Sequence, residues 1–337
     1  KVYKNEGRKS MNILVTGGTG FIGSYFVPLL LEQGHKVRLL VRDEKRAKEQ
    51  FGEQCEYHVG DVTDKRSLKG CCEKIDVVFH LVAKSGNELP TKENFEIYRS
   101  INVIGTKNII EECNNIKKFI YISSTAAMGL VKDNPITEKS KCEPYLPYQV
   151  TKYEVEELIR EKCKNGFPGI IVRPTKVYGV NEANYSYMTL AKLVKKGVFF
   201  KIGKGNNFTS NVYVSDFAQA LVKLVDNGRI GETYIITSEK SIDFIKSGQV
   251  IADELGVDFK VIRVPAWFMI CAATVEERIF LLLGKKPIVT KRNILMTIQD
   301  RIYDISKAKD QIGYQPMVTM EDGIKKVIDW YKEEGLI

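Results

Sequence analysis

The chain has 337 residues, is 44% hydrophobic, and carries 51 Lys plus Arg against 42 Asp plus Glu, a formal charge of +9. That is enough apolar mass for a large core, as one long α/β domain or a main domain with a smaller lobe. The basic residues are scattered among acids, which reads as solvated surface and speaks against a nucleic-acid partner. Seven cysteines without a C-x-x-C pair, and only three histidines, speak against a metal site and read as free thiols of a reducing cytoplasm.

Residues 1–10, KVYKNEGRKS, form a polar, basic extension with no apolar h-region, so they do not read as a signal peptide, and Met11 is the expected native-like start. NILVT (12–16) is a short apolar run and reads as a buried strand, and FIGSYFVPLLLEQG (21–34) has helical spacing and stops on Gly34. Further strands are expected at 36–41, 55–62, 76–83, 118–124 and 169–175, with helices between them, including 94–113 and 147–164. Continuous apolar strands alternating with helices predict a Rossmann-type doubly wound parallel sheet. The expected dinucleotide-binding domain covers 11–180 plus about 211–237, with a helix at 214–227 and a strand at 232–237. A smaller, discontinuous substrate-binding lobe takes about 181–210 and 238–337. The most apolar stretch, 264–284, is interrupted by Glu276, Glu277 and Arg278, and falls short of the roughly 20 apolar residues a span needs.

VTGGTGFIGS follows the first strand and opens the first helix. Gly18, Gly20 and Gly23 match G-x-G-x-x-G, and Gly17, Gly20 and Gly23 match G-x-x-G-x-x-G. Glycine permits the tight turn, lets backbone approach a pyrophosphate and lets helix pack on strand, while the helix N-terminus offers free N–H groups. The second strand ends in VRDEKRAK, where an acid would favour the ribose hydroxyl of NAD(H) and an arginine the 2′-phosphate of NADP(H). Arg42 comes first and Lys45, Arg46 and Lys48 follow, so the cluster favours NADP(H), with NAD(H) as the alternative through Asp43. Asp61 in GDVTD, at the end of the third strand, can accept a bond from the adenine amino group.

YLPYQVTKYE (145–154) sets three tyrosines around Lys152. Pro147 suits the first turn of a helix, so Tyr148 and Lys152, four apart, share one face. Tyr145 falls before the helix, and Tyr153, rotated by about 100° from Lys152, points into packing. A free tyrosine titrates near about 10, and a nearby ammonium, with the positive charge of an oxidised nicotinamide, favours the phenolate, which would let Tyr148 exchange a proton with a substrate oxygen. Lys152 can also hold ribose hydroxyls. Ser124, in FIYISSTAAMG at a strand C-terminus, can bond the same substrate oxygen, and one of Ser123 and Ser124 is expected to cap local backbone.

These pieces, with HLVAK, NVIGT, VRPTKVYG and VYVSDFAQA, resemble the extended short-chain dehydrogenase/reductase family of the NAD-dependent epimerase/dehydratase type, over about residues 11–334. The resemblance implies catalytic Ser124, Tyr148 and Lys152, with Asn102 supporting the Tyr–Lys end of the site. It implies Gly17, Gly20, Phe21, Ile22, Gly23, Arg42, Asp61, Val62, Val82, Ala83, Lys84, Tyr148, Lys152 and Pro174 around the cofactor. Ser124, Lys176 and Lys84 would meet a small-molecule substrate. His80 is read as structural, and a homodimer through helices including the one with Tyr148 is implied.

Departures from the family pattern narrow the chemistry. SSTAAMG lacks the Thr-Asp-Glu trio of sugar-nucleotide dehydratases, and Lys176 stands where sugar-nucleotide epimerases usually have asparagine. Thr209 and Ser210 lie near the place of their diphosphate-holding arginine. The 264–290 segment is similar in layout to the 3β-hydroxysteroid dehydrogenase and dihydroflavonol reductase branch. The leading expectation is therefore an NADP(H)-preferring oxidoreductase interconverting a secondary alcohol and a ketone on a mostly apolar or polycyclic molecule. The alternatives are a nucleotide-sugar epimerase and a non-catalytic NADP(H)-sensing protein. Trp267, Phe268 and Met269 are read first as small-lobe core, with an apolar pocket or a membrane surface as alternatives.

Overall fold

The computed structural model describes residues 10–203, 207–283 and 290–337. Strand β1 (Asn12–Thr16) leads into helix α1 (Phe21–Glu32), then β2 (Lys36–Val41), α2 (Glu44–Phe51), β3 (Glu56–Val59) and β4 (Val77–His80). The expected 94–113 helix is three joined pieces: α3 (Lys92–Tyr98), a π-helical turn (Arg99–Ile104) and α4 (Gly105–Glu112). Next come β5 (Lys118–Ile122), α5 (Pro147–Lys164), β6 (Gly169–Pro174), β7 (Lys176–Tyr178), α6 (Met188–Lys195), β8 (Val198–Ile202), β9 (Phe208–Thr209) and β10 (Asn211–Tyr213). The chain closes with α7 (Val214–Asn227), β11 (Thr233–Ile236), β12 (Ile242–Asp243), α8 (Phe244–Leu255), β13 (Lys260–Val264), α9 (Ala266–Leu282), α10 (Lys291–Thr297), α11 (Ser306–Ile312) and α12 (Met320–Glu333).

Seven strands form one sheet in the order β11-β6-β5-β4-β1-β2-β3, every neighbour parallel. Side chains alternate across its two faces, as the strand period of 2 requires. Ile13, Val15, Val77, Phe79, Ile120 and Ile122 pack on one face with residues of α1, α2, α7 and α11. Leu14, Val78, Phe119 and Tyr121 pack on the other with residues of α4 and α5. Burial on both faces explains the unbroken apolar strands, which a one-sided sheet would not need.

The strand order reverses between β1 and β4, so the C-terminal ends of these two strands diverge into a crevice. The Gly17–Gly23 loop and residues 81–84 leave those ends, and Ser124 follows the neighbouring β5. A third cluster collects Tyr178, Phe199, Tyr213, Ile251 and Ile328 from the later part of the chain. Ile305, Ala308, Ile312 and Tyr314 pack with the main sheet instead, so α11 covers the sheet although it lies deep in the stretch expected to form the lobe. Among the described residues, no helix is long and apolar enough to cross a membrane.

Candidate active site

The phosphate loop is shaped by close contacts. Gly17 has φ +74, in the left-handed region that glycine adopts without strain, and a side chain there would press on the Val82 amide at 3.0 Å. A Cβ on Gly23 would stand 2.1 Å from the Gly18 carbonyl oxygen, so only glycine lets α1 pack this near the loop. Gly20 is the N-cap of α1 and supplies no side-chain acceptor, which leaves the first N–H groups of the helix for an anion. Phe21 and Ile22 open that helix; Phe21 packs toward the third cluster and Ile22 on the main core.

At the end of β2, Asp43 is turned away from the role an acid plays with NAD(H). It caps α2, its Oδ1 accepting from the Arg46 amide at 3.0 Å. Lys48 is paired with Glu44 at 3.0 Å and so leaves the basic cluster expected around a 2′-phosphate. Arg42, Lys45 and Arg46 remain exposed. Asp61 lies two residues beyond the end of β3 rather than on it. Its carboxyl is held below the usual range by the amide and hydroxyl of Thr63, both bonded to Oδ1, with Arg42 nearby adding to the effect. Val62 is buried, and its carbonyl accepts from Asn108 Nδ2 at 2.8 Å.

The catalytic candidates converge where β5 ends and α5 begins. Pro147 is the first residue of α5, so Tyr148, Lys152 and Glu156 stack on one face at successive turns. Ser124 caps the short turn after β5, accepting from the Ala126 amide at 3.1 Å, which leaves its hydroxyl proton to donate. That hydroxyl bonds to Tyr148. Lys152 is 2% exposed. Its Nζ donates to the Ile122 carbonyl at 2.6 Å and lies 4.7 Å from the Tyr121 ring centroid and 6.0 Å from that of Tyr148. Tyr145 is exposed and precedes the helix, and Tyr153 is only partly buried, on the far side of α5 beside Cys142 and Glu157.

The electrostatics differ from the simple expectation that the lysine drives Tyr148 toward phenolate. Burial pushes the Tyr148 pKa up, and only the Ser124 bond opposes it. Lys152 itself is brought down to about 7 by burial, with Glu156 pulling the other way. In the free protein, then, Tyr148 stands as a proton donor and Lys152 is poised near neutrality. Desolvation dominates because Lys152 is almost fully buried, its Nζ against the Ile122 carbonyl and the Tyr121 ring.

Glu156, Arg173, Thr151 and Thr106, which motif reading missed, help Asn102 and His80 hold these groups. Glu156, fully buried, receives Arg173 at 2.6 Å, Ser123 Oγ at 2.6 Å and Arg160 at 2.7 Å. Burial opposes charge on both Glu156 and Arg173, but each is kept ionised by the other. Asn102, in the π-helical turn, accepts from the Lys84 amide at 2.7 Å and donates to the Lys84 carbonyl and Thr151 Oγ1, each at 3.0 Å. It thereby clamps the 82–84 segment to α5. Thr106 Oγ1 donates to the Asn102 carbonyl at 2.5 Å and must therefore accept from His80 Nε2 at 3.0 Å. His80 Nδ1 then accepts from Thr16 Oγ1 at 2.8 Å. His80 is thus neutral and structural, its pKa brought down to about 3 by burial and by Lys152.

Lys84 lays its ammonium over the Tyr98 ring at 5.2 Å, and the Tyr98 hydroxyl donates to Glu88. Pro174 ends β6, and Lys176 opens β7 beside it. Lys176 is exposed as a residue, yet desolvation of its ammonium lowers its pKa against the pull of Glu182. Ser210 is buried and Thr209 half-buried. Trp267 and Phe268, read first as core, are 68% and 52% exposed, so the core reading of that helix is corrected. All seven cysteines are free, and among the described residues no group of His, Cys, Asp and Glu can hold a metal ion.

The model of the NAD dependent epimerase/dehydratase family matches residues 13–237. The chain belongs to this family. A 3beta-hydroxysteroid-dehydrogenase/decarboxylase isoform of Arabidopsis thaliana is 30% identical over 94% of this chain and 78% of its own length. A putative dihydroflavonol 4-reductase of Synechocystis is 28% identical over 96% of this chain and 95% of its own. The solved structure of gox2253 superposes with a TM-score of 0.79 at 27% identity, covering 97% of this chain and 99% of that one. The chain is an NAD(P)-dependent enzyme of the extended short-chain dehydrogenase/reductase type, an oxidoreductase acting between hydroxyl and ketone. The uncapped α1 N-terminus and the loop that a Cβ would fill fit the family's dinucleotide.

Proposed function

We propose that the enzyme interconverts a secondary alcohol and a ketone on a mostly apolar or polycyclic small molecule and prefers NADP(H). The observation that carries the reaction is the meeting of the Ser124 and Tyr148 hydroxyls above a buried Lys152. Ser124 orients the substrate oxygen, its own lone pair already committed to the Ala126 amide. Tyr148 gives its proton to that oxygen during reduction and takes one back during oxidation. The nicotinamide, when bound, supplies or accepts the hydride at the adjacent carbon. Lys152, when charged, favours the Tyr148 phenolate and holds ribose hydroxyls, while Asn102 keeps the 82–84 segment and α5 in register. Residues 11–180 with about 211–237 serve the cofactor, and the lobe of about 181–210 and 238–337, apart from the sheet-covering α11, faces the substrate with Lys176 and Lys84.

The apolar substrate class is supported by the lack of the asparagine and arginine usual in sugar-nucleotide epimerases, where this chain has Lys176 and, nearby, Thr209 and Ser210, and by the 3beta-hydroxysteroid-dehydrogenase/decarboxylase relative. The NADP(H) preference is supported by exposed Arg42, Lys45 and Arg46, and by Asp43, which is committed to the helix cap. The test is oxidation of NADPH and NADH by the purified protein with a panel of cyclic ketones. NADPH consumption with polycyclic ketones, at lower KM than NADH, is expected. Equal use of NADH refutes the cofactor preference, and turnover of nucleotide sugars but of no ketone refutes the substrate class.

A further inference from the structure

Among the described residues, eight of the seventeen exposed large apolar side chains lie between residues 261 and 283: Val261, Ile262, Trp267, Phe268, Val275, Ile279, Leu282 and Leu283. On α9 they recur at helical spacing, with Trp267 68%, Val275 56% and Leu282 88% exposed, so they form a stripe on one face. On β13, Ile262 pairs with Phe200 of β8, itself 42% exposed, which widens the apolar surface beside the helix. Single exposed apolar residues are ordinary, but a continuous stripe marks a contact surface.

The charge pattern selects what covers it. Among the described residues from 260 to 283, every exposed one is either apolar or basic: the charges are Lys260, Arg263 and Arg278. Glu276 and Glu277 are only partly exposed, and Glu277 accepts from the Lys291 amide at 3.3 Å. Lys285 and Lys286 follow in the sequence. A second copy of the chain is a poor occupant, because a two-fold contact brings Lys260, Arg263 and Arg278 against their own like charges. An anionic lipid surface satisfies both features at once: apolar side chains enter the acyl boundary, tryptophan sits at the headgroup level, and basic residues meet phosphate. α9 has 17 residues and no described helix can span a bilayer, so the helix lies in the plane of the surface.

We propose that α9, with β13 and β8 beside it, docks on an anionic lipid bilayer. This surface rests on exposure and charge alone and does not depend on the substrate reading. The test is flotation of the full chain with vesicles of phosphatidylcholine, or of phosphatidylcholine mixed with phosphatidylglycerol. Wild type should float with the anionic vesicles and weaken as salt rises. Trp267→Glu with Phe268→Glu should cut the partition by roughly tenfold or more. Arg263→Glu with Arg278→Glu should abolish the preference for anionic over neutral vesicles. All four side chains are exposed, and circular dichroism melts matching wild type establish that the variants fold. The emission of Trp267 should shift to the blue on binding, a change absent in Trp267→Phe. Wild type that floats with neither vesicle, or a Trp267→Glu/Phe268→Glu variant that floats as well as wild type, overturns the proposal. So does a wild-type dimer that this double variant converts to monomer, since the stripe would then be covered by a second copy.

Discussion

Lys152 is held at a cost that can be measured. Its pKa in the folded chain is about 7 against 10.5 for a free lysine, and burial is the cause. The sign follows from proton counting. Between those two values the unfolded chain binds a proton that the folded chain does not, so stability rises with pH across that window. At about pH 6 the folded chain carries nearly the whole penalty, about 5 kcal/mol, and at about pH 9 about 2 kcal/mol remains. Lys152→Met removes the titration altogether. It also removes the bond to the Ile122 carbonyl, a loss that does not vary with pH. The variant's stability relative to wild type should therefore fall by roughly 3 kcal/mol from about pH 6 to about pH 9. Denaturant melts of both proteins without cofactor at the two pH values give that difference directly. A wild-type to variant difference that is flat with pH, or that grows in the opposite direction, refutes the reasoning. The catalytic consequence is separate: the variant should lose turnover while becoming relatively more stable on the acid side.

Asn102→Ala leaves the Lys84 amide, the Lys84 carbonyl and Thr151 without their buried partner. Stability should drop by about 1–3 kcal/mol by denaturant melt, and kcat should fall because the 82–84 segment loosens. Tyr121→Phe should do the reverse, since among the described residues the buried Tyr121 hydroxyl has no partner; its removal should leave stability unchanged or raise it by about 1 kcal/mol. Arg42→Ala should raise the KM for NADPH by roughly tenfold to a hundredfold, the worth of a charge-assisted bond, and leave that for NADH nearly unchanged. Arg173→Met leaves the buried Glu156 carboxylate with only Arg160 and Ser123 and should destabilise by about 1–3 kcal/mol in a thermal or denaturant melt.

The parallel sheet and α5 were legible because their signals are local. Apolar runs bounded by glycine mark the strands, and Pro147 fixes the start of α5. The loop glycines declared themselves by spacing, and helical period alone picked Tyr148 as the partner of Lys152. What stayed hidden depends on packing across the chain. Glu156 has the spacing of the catalytic face, but a charge on a helix reads as solvent-facing until Arg173 arrives from β6. The π-helical turn that turns Asn102 toward Thr151 leaves no mark in RSINVI. Tyr98 stands four residues before Asn102, a spacing that could have drawn it into the site. The apolar 264–284 run looked like core because hydrophobicity does not say what covers it; only exposure of Trp267 and Phe268 separates the two readings. The direction of the Tyr148 shift in the free protein is hidden from spacing for a similar reason, since burial acts on the lysine and the tyrosine together.

The measurement that bears most directly on the account is single-turnover ketone reduction by Tyr148→Phe with NADPH, beside wild type, with cofactor binding followed separately. Phenylalanine keeps the ring and removes only the proton donor. The account predicts nearly unchanged NADPH affinity and a rate lower by roughly 10²–10⁴-fold, the range that positioned acid–base groups contribute. Hydride transfer by Tyr148→Phe at the wild-type rate would contradict it.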